Sequence, residues 1–266
     1  MLLTILAAML KMKEMRQYLV LVVIGIGLLL SACGGKRSEA LVIATAANMQ
    51  FAMEALVEAF TAETGIGCQA IISSSGKLTA QIKEGAPFDV FVSADMKYPA
   101  ELFEAGFTLQ QPKIYAYGQL VLWTHKGTSQ PKIQDLPQAT IRHIALANPK
   151  TAPYGRAAME VLTHYNLLEE VEDKLVYGES IAQTNQFILS EAAEVGFTAQ
   201  SVVRSPRMKE EGQWITIPQD IYRPIAQGIV LLQGDRLHPG AQAFYDFIWS
   251  AEARRILEAY GYQVVD

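Results

Sequence analysis

The sequence predicts an α/β fold with largely parallel sheets, and three observations lead to this prediction. Short apolar strands alternate with helical patterns from residue 41 onward. Glycines follow several helical patterns at the points where helices end, and the turns between a strand and the next helix consist of small and polar residues. Repeated strand–turn–helix units of this kind form sheets covered by helices. Ligands of such sheets bind beyond the carboxyl ends of the strands.

The predicted elements follow one another along the chain. Strands are predicted at 41–44, 68–72, 88–94, 144–147, 194–198 and 224–233, and helices at 50–64, around 78–84, and at 97–105, 156–165, 181–190 and 239–260. The first helix shows the signals used: Met53, Leu56 and Phe60 recur at helical spacing, and Gly65 follows the last residue. The apolar run 115–123 and the strand 224–233 each contain a glycine. They either carry the chain into a second lobe and back or are simply core strands.

The N-terminus has the pattern of an export signal. A basic patch ends at Arg16, a wholly apolar run spans 18–30, and small residues lead to Cys33 in the sequence LSAC. The apolar run is short for a membrane span, so a cleaved signal is favoured over an anchor helix. The LSAC ending resembles a bacterial lipobox, which implies a signal peptide over 1–32, lipidation of Cys33 and a tether over 33–40.

The charge balance excludes nucleic acid as a partner. The whole chain has a net charge of −5, and loss of residues 1–32, with three basic and one acidic side chain, leaves −7. Nucleic-acid binding needs clustered positive charge. Any anionic ligand must therefore be held by local donors. Cys68 is the only cysteine besides Cys33, so the sequence offers no disulfide framework.

The stretch ISSSGKLTAQI at 72–82 is the most conspicuous candidate site. Ser74 and Lys77 match the S-x-x-K pattern of acyl-transfer enzymes, but the companion S-D-N and K-T-G patterns are absent from the sequence. No G-x-S-x-G elbow or phosphate-binding loop is present, and the four histidines lack metal-ligand spacing. We therefore expect no enzyme and no resident cofactor, with acyl transfer by Ser74 and Lys77 as a distant alternative.

The same serines either cap the following helix or help to bind an anion. A helix N-terminus has free N–H groups and a partial positive charge, which suit both roles. The arrangement recurs at three other predicted helix starts: Asn48 in TAANMQ, Tyr154 in TAPYG, and Ser180 with Ile181 in GESIAQ. This recurrence favours one anion site where four turns converge.

Five stretches together resemble the molybdate-binding proteins of ABC importers. They are ATAANMQFAMEAL, ISSSGKLTAQI, GAPFDVFVSAD, NPKTAPYGRAAMEVL and EARRILEAYGY, in this order between residues 41 and 266. The resemblance implies a two-lobed periplasmic-binding-protein fold, with each lobe a sheet flanked by helices and the lobes joined by crossing hinge strands. We expect lobe 1 at 40–119 plus 232–266 and lobe 2 at 120–231.

The resemblance also implies the binding residues. Asn48 and Ser75 would bind the oxyanion from the first lobe, and Tyr154 and Ile181 from the second through backbone N–H groups. Ala47, Ser74 and Ser180 are possible additional contacts. Ala199 stands where some members of the family have a tyrosine donor, so the shell either has one donor fewer or uses another group.

The implied ligand is molybdate, with tungstate as a second one, because a site made only of donors suits fully deprotonated dianions. Phosphate keeps a proton and needs an acceptor, whereas sulfate has the same charge and stays the alternative ligand. The protein would be an exported, lipid-anchored monomer on the outer surface of the membrane, and it would deliver the oxyanion to an ABC permease.

Overall fold

A computed structural model describes residues 40–234 and 237–265. The predicted signal peptide, Cys33 and most of the tether lie outside the described residues. From residue 40 onward the chain forms one compact unit that contains two β-sheets flanked by helices, which confirms the α/β class. The strands are β1 (Leu41–Ala46), β2 (Cys68–Ser73), β3 (Val90–Val92), β4 (Lys113–Gly118), β5 (Leu120–His125), β6 (Ile144–Ala147), β7 (Leu175–Gly178), β8 (Val195–Ala199), β9 (Gly212–Thr216), β10 (Ile225–Leu231) and β11 (Gln263–Val264).

Both sheets are mixed. The first has the order β11-β4-β10-β3-β1-β2 and the second β7-β6-β8-β5-β9. The predicted parallel pairing occurs where β1 lies between β2 and β3, and where β6 lies between β7 and β8. The pairs that involve β4, β5, β9, β10 and β11 are antiparallel, because these strands belong to the crossing region and the sheet edges rather than to strand–helix units.

Helices cover the sheets, and most of them begin where a parallel strand has just ended. They are α1 (Gln50–Thr64), α2 (Ser75–Lys83), α3 (Lys97–Glu104), α4 (Pro153–His164), α5 (Leu168–Val171), α6 (Ile181–Leu189), α7 (Gln200–Val203), α8 (Ala241–Phe247) and α9 (Ala251–Ala259). Gly65 ends α1 in the left-handed region at φ 74°, as its sequence position predicts. A 3-10 turn at Ala47–Met49 lies between β1 and α1.

The C-terminal segment departs from the predicted single helix at 239–260. Ser250 has extended backbone angles (φ −69°, ψ 158°) and separates α8 from α9. Its hydroxyl accepts a 3.1 Å hydrogen bond from Ala253 N–H, so it is the N-cap of a new helix. The apolar periodicity continues through Ser250, so the sequence pattern does not indicate this cap.

The apolar run 115–123 forms two strands that belong to different sheets. β4 lies in the first sheet and β5 in the second, and Gln119 is the single residue between them. β10 pairs with β3 and β4 in the first sheet. The chain has therefore returned to the first sheet by Ile225, so the expected boundary at residue 232 lies too late by the whole length of β10.

Each sheet has its own hydrophobic core. The largest cluster on the first sheet packs Leu41, Met53 and Phe60 against the two C-terminal helices. The largest cluster on the second sheet includes Leu122, Leu146 and Phe197. Within residues 40–234 and 237–265, no helix has the length and apolar character needed to cross a membrane.

Candidate functional site

Five strand ends meet around one small pocket with a cavity volume of about 10 Å³. The turns after β1, β2 and β3 reach it from the first sheet, and the turns after β6 and β7 reach it from the second. Its lining residues are Ala46, Ala47, Asn48, Ser74, Ser75, Ala94, Ala152, Pro153, Tyr154 and Ile181. The pocket therefore lies beyond the carboxyl ends of the strands, where ligands of α/β sheets bind.

The serine run supplies two hydroxyls that are not used as helix caps. Ser74 is the N-cap residue of α2, but its side chain makes no capping hydrogen bond. Its Oγ is buried and has no partner among the described residues. Ser75 Oγ accepts a 3.0 Å hydrogen bond from Ala94 N–H, which fixes the oxygen and leaves the hydroxyl proton available for a ligand. The capping interpretation therefore does not account for either hydroxyl.

Asn48 lines the pocket in a different way from the one that the sequence suggests. Both hydrogens of its side-chain Nδ2 have acceptors, since Gln227 Oε1 and Tyr262 Oη each lie 2.9 Å away. Oδ1 is buried and has no partner among the described residues. The amide donor that the sequence analysis assigned to the ligand is thus engaged inside the protein, and a carbonyl oxygen is left in its place.

The second sheet contributes two helix N-termini. Pro153 is the first residue of α4 and has no N–H, while the amides of Gly155 and Arg156 donate to Ala152 O at 3.1 and 3.3 Å. The Tyr154 N–H is therefore the amide in the first turn of α4 that has no acceptor among the described residues. The Tyr154 hydroxyl does not serve the pocket, because it accepts from Gln227 Nε2 at 3.2 Å and is buried.

At the start of α6, Ile181 lines the pocket and Ser180 does not. Ser180 Oγ accepts from Gln183 N–H at 3.5 Å and its carbonyl accepts from Thr184 N–H at 3.0 Å. Ser180 is therefore the N-cap of this helix. Its hydroxyl is used in capping, whereas the Ile181 N–H has no acceptor within the described part of the chain.

Ala199 also lies outside the pocket. It is buried at the end of β8, and Ser201, two residues further on, donates from Oγ to Asn48 O at 2.7 Å. The described residues that line the pocket include none from this segment. Ser201 acts instead on the backbone of Asn48.

None of the ten lining residues has a charged side chain. Charged groups surround the pocket as pairs: Lys77 of α2 pairs with Glu179 before α6, and Asp95 after β3 pairs with Arg156 of α4. Burial raises the pKa of Asp95, while the Arg156 guanidinium and the Tyr98 N–H act in the opposite direction. Both ion pairs join the two sides of the pocket.

Hydrogen bonds to backbone carbonyl groups hold the two sides together as well. Gly76 N–H donates to Thr151 O at 3.0 Å, and Tyr98 Oη donates to Lys150 O at 3.1 Å. Elements of both sheets therefore touch around the site, and this arrangement is called the closed form below. Within the described residues, no cluster of three or more His, Cys, Asp and Glu could hold a metal ion.

This arrangement is suited to binding a small anion. Two serine hydroxyls and two free amides can donate, and the N-termini of α2, α4 and α6 add partial positive charge. Since no lining group is cationic, the charge of an anion would be balanced by dipoles alone.

Comparison with known proteins agrees with this chemistry. The model of the bacterial extracellular solute-binding protein family matches residues 41–263. This chain belongs to that family. It is 38% identical to the molybdate-binding protein ModA of Azotobacter vinelandii over 91% of this chain and 95% of the relative, and 38% identical to ModA of Rhodobacter capsulatus over 89% and 91%. The solved structure of the Azotobacter vinelandii periplasmic molybdate-binding protein superposes with a TM-score of 0.80, at 34% identity, over 85% of this chain and all of that chain.

As a member of a solute-binding family, the chain has a pocket that differs from an acyl-transfer site. Lys77 Nζ is paired with Glu179, and Ser74 Oγ makes no hydrogen bond to it. Among the described residues, Ser74 Oγ has no hydrogen-bonded base of the kind that activates a serine nucleophile.

The structure also adds residues that the sequence did not reveal. Ala46, Ala94 and Ala152 line the pocket, but alanines at strand ends carry no distinguishing signal. Gln227 and Tyr262 contact Asn48 from 179 and 214 residues away in sequence. Only the fold brings them together.

Proposed function

We propose that this protein captures molybdate, and also tungstate, and delivers the oxyanion to an ABC permease. The membership in the solute-binding family supports capture and delivery. The names of two relatives and of one solved structure support the ligand.

One observation carries the proposal: the described residues that line the pocket are all uncharged, they include no carboxylate, and they supply hydroxyl and amide donors. Molybdate and tungstate are dianions without a proton at neutral pH, so every oxygen can accept. Each hydrogen bond to a charged oxygen contributes about 1.5–3 kcal/mol. Four to six such bonds are enough for sub-micromolar binding, about −8 kcal/mol, after the ordering costs of association.

The proposed oxyanion ligands are Asn48, Ser75, Tyr154 and Ile181, with Ser74 and Ala47 beside them. Ser75 donates its hydroxyl proton, while Tyr154 and Ile181 donate their backbone N–H groups. Ser180 is not part of this set, because its hydroxyl caps α6. Ligand contacts to both sheets would favour the closed form, which is the differential affinity that a population shift requires.

Export and anchoring form a separate part of the proposal. The basic patch, the apolar run and LSAC support cleavage after residue 32, and a diacylated Cys33 would hold the monomer at the membrane surface. Residues 33–40 would then serve as the tether between the lipid and β1.

Thermal unfolding of the purified protein tests the proposed ligand. A ligand that binds only the folded state at a hundred times its Kd adds about 2.7 kcal/mol to the free energy of unfolding. We expect molybdate and tungstate to raise the melting temperature and phosphate to leave it unchanged. An unchanged melting temperature with both molybdate and tungstate would contradict the proposal. A rise with sulfate alone would identify sulfate as the ligand instead.

A further inference from the structure

A buried hydrogen-bond network of uncharged side chains lies behind the pocket. Gln227 of β10 is fully buried at its centre. Its Oε1 accepts from Asn48 Nδ2 and from Tyr115 Oη, both at 2.9 Å, and its Nε2 donates to Tyr154 Oη at 3.2 Å. Tyr262 Oη accepts from Asn48 Nδ2 and donates to Asn48 O. These five residues, Asn48, Tyr115, Tyr154, Gln227 and Tyr262, are called the amide network below.

In this state the network presents the wrong atom to a dianion. Asn48 Nδ2 is directed at Gln227 and Tyr262, so the part of its amide that has no partner is the carbonyl Oδ1. A carbonyl oxygen can only accept, and a fully deprotonated oxyanion has no proton to donate. Asn48 lines the pocket, so a dianion there would receive no hydrogen bond from this amide, and the buried oxygen would stay unpaired at a cost in free energy.

Asn48 cannot correct this alone. If only its amide reversed, Oδ1 would face Gln227 Oε1 at the 2.9 Å now spanned by a hydrogen bond, and two acceptors would oppose each other. If both amides reverse, Gln227 Nε2 can donate to Asn48 Oδ1 and to Tyr115 Oη. Gln227 Oε1 can then accept from the Tyr154 hydroxyl. Tyrosine hydroxyls both donate and accept, so they tolerate either orientation.

The reversed state leaves Asn48 Nδ2 free for the pocket. Tyr262 can redirect its proton from Asn48 O to Asn48 Oδ1, since Asn48 O keeps its 2.7 Å bond from Ser201 Oγ. The change consists of two side-chain amide rotations and a reorientation of hydroxyl protons, and the hydrogen bond from Tyr262 Oη to Asn48 O is the one that is lost without replacement.

We propose that Gln227 is a positioning residue for the pocket, and that its amide reverses together with that of Asn48 when a fully deprotonated oxyanion binds. The inference rests on the proposed function, since it assumes such a ligand. It explains how a pocket lined by Asn48, whose Oδ1 has no partner among the described residues, becomes a site made of donors.

The direct test follows the Gln227 side-chain amide by NMR in the purified protein, with and without molybdate. Glutamine is labelled with ¹⁵N, and the signal that disappears in Gln227→Glu identifies Gln227. Without ligand, its amide protons should show cross-relaxation with the Tyr154 ring. With molybdate, this contact should weaken and a contact with the Tyr115 ring should appear. Retention of the Tyr154 contact in the bound state would overturn the inference.

A double-mutant cycle of molybdate affinities separates the effect of the amide orientation from the effect of a negative charge near the pocket. An ionised Gln227→Glu side chain only accepts, so it holds Asn48 Nδ2 away from the pocket. In an Asn48→Ser background the hydroxyl can donate without any reversal. Gln227→Glu should therefore raise the molybdate Kd by about tenfold more in the native background than in the Asn48→Ser background. Equal factors in the two backgrounds would mean that charge alone acts, and would contradict a positioning role.

Failure of the proposed function and failure of the Gln227 inference give different experimental results. If the native protein binds no molybdate, the proposed function fails and the inference fails with it. If the native protein binds molybdate but the Tyr154 contact persists, only the inference fails. Should Gln227→Glu not fold, asparagine labelling in place of glutamine follows the Asn48 amide in the native protein, whose contact with the Tyr262 ring must be lost on binding.

Discussion

Gly76 N–H donates a 3.0 Å hydrogen bond to Thr151 O, so the first turn of α2 touches the loop that leads into α4. The approach is close because residue 76 has no side chain: a Cβ there would lie 3.0 Å from Thr151 Cα and 2.7 Å from Tyr98 Oη. This contact joins the two sides of the pocket. It makes closure around the ligand depend on a glycine.

Gly76→Ala tests this dependence. Alanine favours the helix intrinsically, so the open form should not be weakened, but the added methyl group obstructs the approach of Thr151. We expect the molybdate Kd to rise about tenfold, which corresponds to 1.4 kcal/mol within the 1–3 kcal/mol range typical of overpacking. Gly67→Ala is the matched control, because a Cβ there meets nothing within 4 Å. Equal affinities of the two variants would refute the role of the contact.

Ser75→Ala should weaken oxyanion binding by about 1–3 kcal/mol, since it removes one donor to a charged ligand and leaves Ala94 N–H unpaired. Titration calorimetry measures the change. The matched control is Ser250→Ala, which removes the cap of α9. It should lower the free energy of unfolding by about 1 kcal/mol without changing the Kd. Wild-type affinity in Ser75→Ala would remove Ser75 from the site.

The ion pair of Asp95 and Arg156 should stabilise the closed form modestly. About a third of the Arg156 side chain is exposed, so solvent screens the pair. We expect Arg156→Gln to raise the molybdate Kd about two- to fivefold, and added salt to reduce the difference. Arg255→Gln removes the exposed pair with Glu252 on α9 and should leave the Kd unchanged. A Kd in Arg156→Gln that matches this control would show that the pair does not contribute to closure.

The lipid anchor predicts a thiol count. The chain has two cysteines, and a diacylated Cys33 has no free thiol, so the unfolded mature protein should contain one. In the folded protein, burial raises the pKa of Cys68 to about 11, and Cys68 should react slowly because little thiolate is present at neutral pH. Cys33→Ala should release the protein from the membrane fraction. Retention of the Cys33→Ala protein in the membrane fraction would contradict anchoring through Cys33. Cys68→Ser is the control and should stay in the membrane fraction.

Local signals account for the elements that the sequence predicted well. The predicted limits of α1 and β6 agree with the structure, because each is a continuous apolar pattern with a clear end. The turns at Asn48, Ser75, Tyr154 and Ile181 were predicted to converge, and all four residues line one pocket. Convergence follows from the general rule that parallel strands of α/β sheets end at the same edge.

Contacts between residues that are far apart in sequence account for the features that the sequence did not predict. The run 115–123 is apolar except for Gln119, and this residue lies between the strands of the two sheets, where its Nε2 donates to Ile217 O at 2.6 Å and to Tyr222 Oη at 2.9 Å. These partners are about a hundred residues away. The assignment of the Asn48 amide to the ligand missed Gln227 for the same reason. Ser180 and Ser74 look alike in sequence, and only the structure distinguishes the cap from the free hydroxyl.

Calorimetric titration of the purified protein with molybdate, tungstate, sulfate and phosphate tests the central claim most directly. The account predicts one-to-one binding of molybdate and tungstate with a sub-micromolar Kd, and sulfate binding weaker by about a hundredfold, equivalent to about 2.7 kcal/mol. Phosphate should bind still more weakly, because it keeps a proton that a site of donors cannot accept. Tight binding of sulfate would support the pocket as the oxyanion site but would identify sulfate as its ligand. Absence of heat with all four oxyanions would contradict the account of the pocket as an oxyanion site.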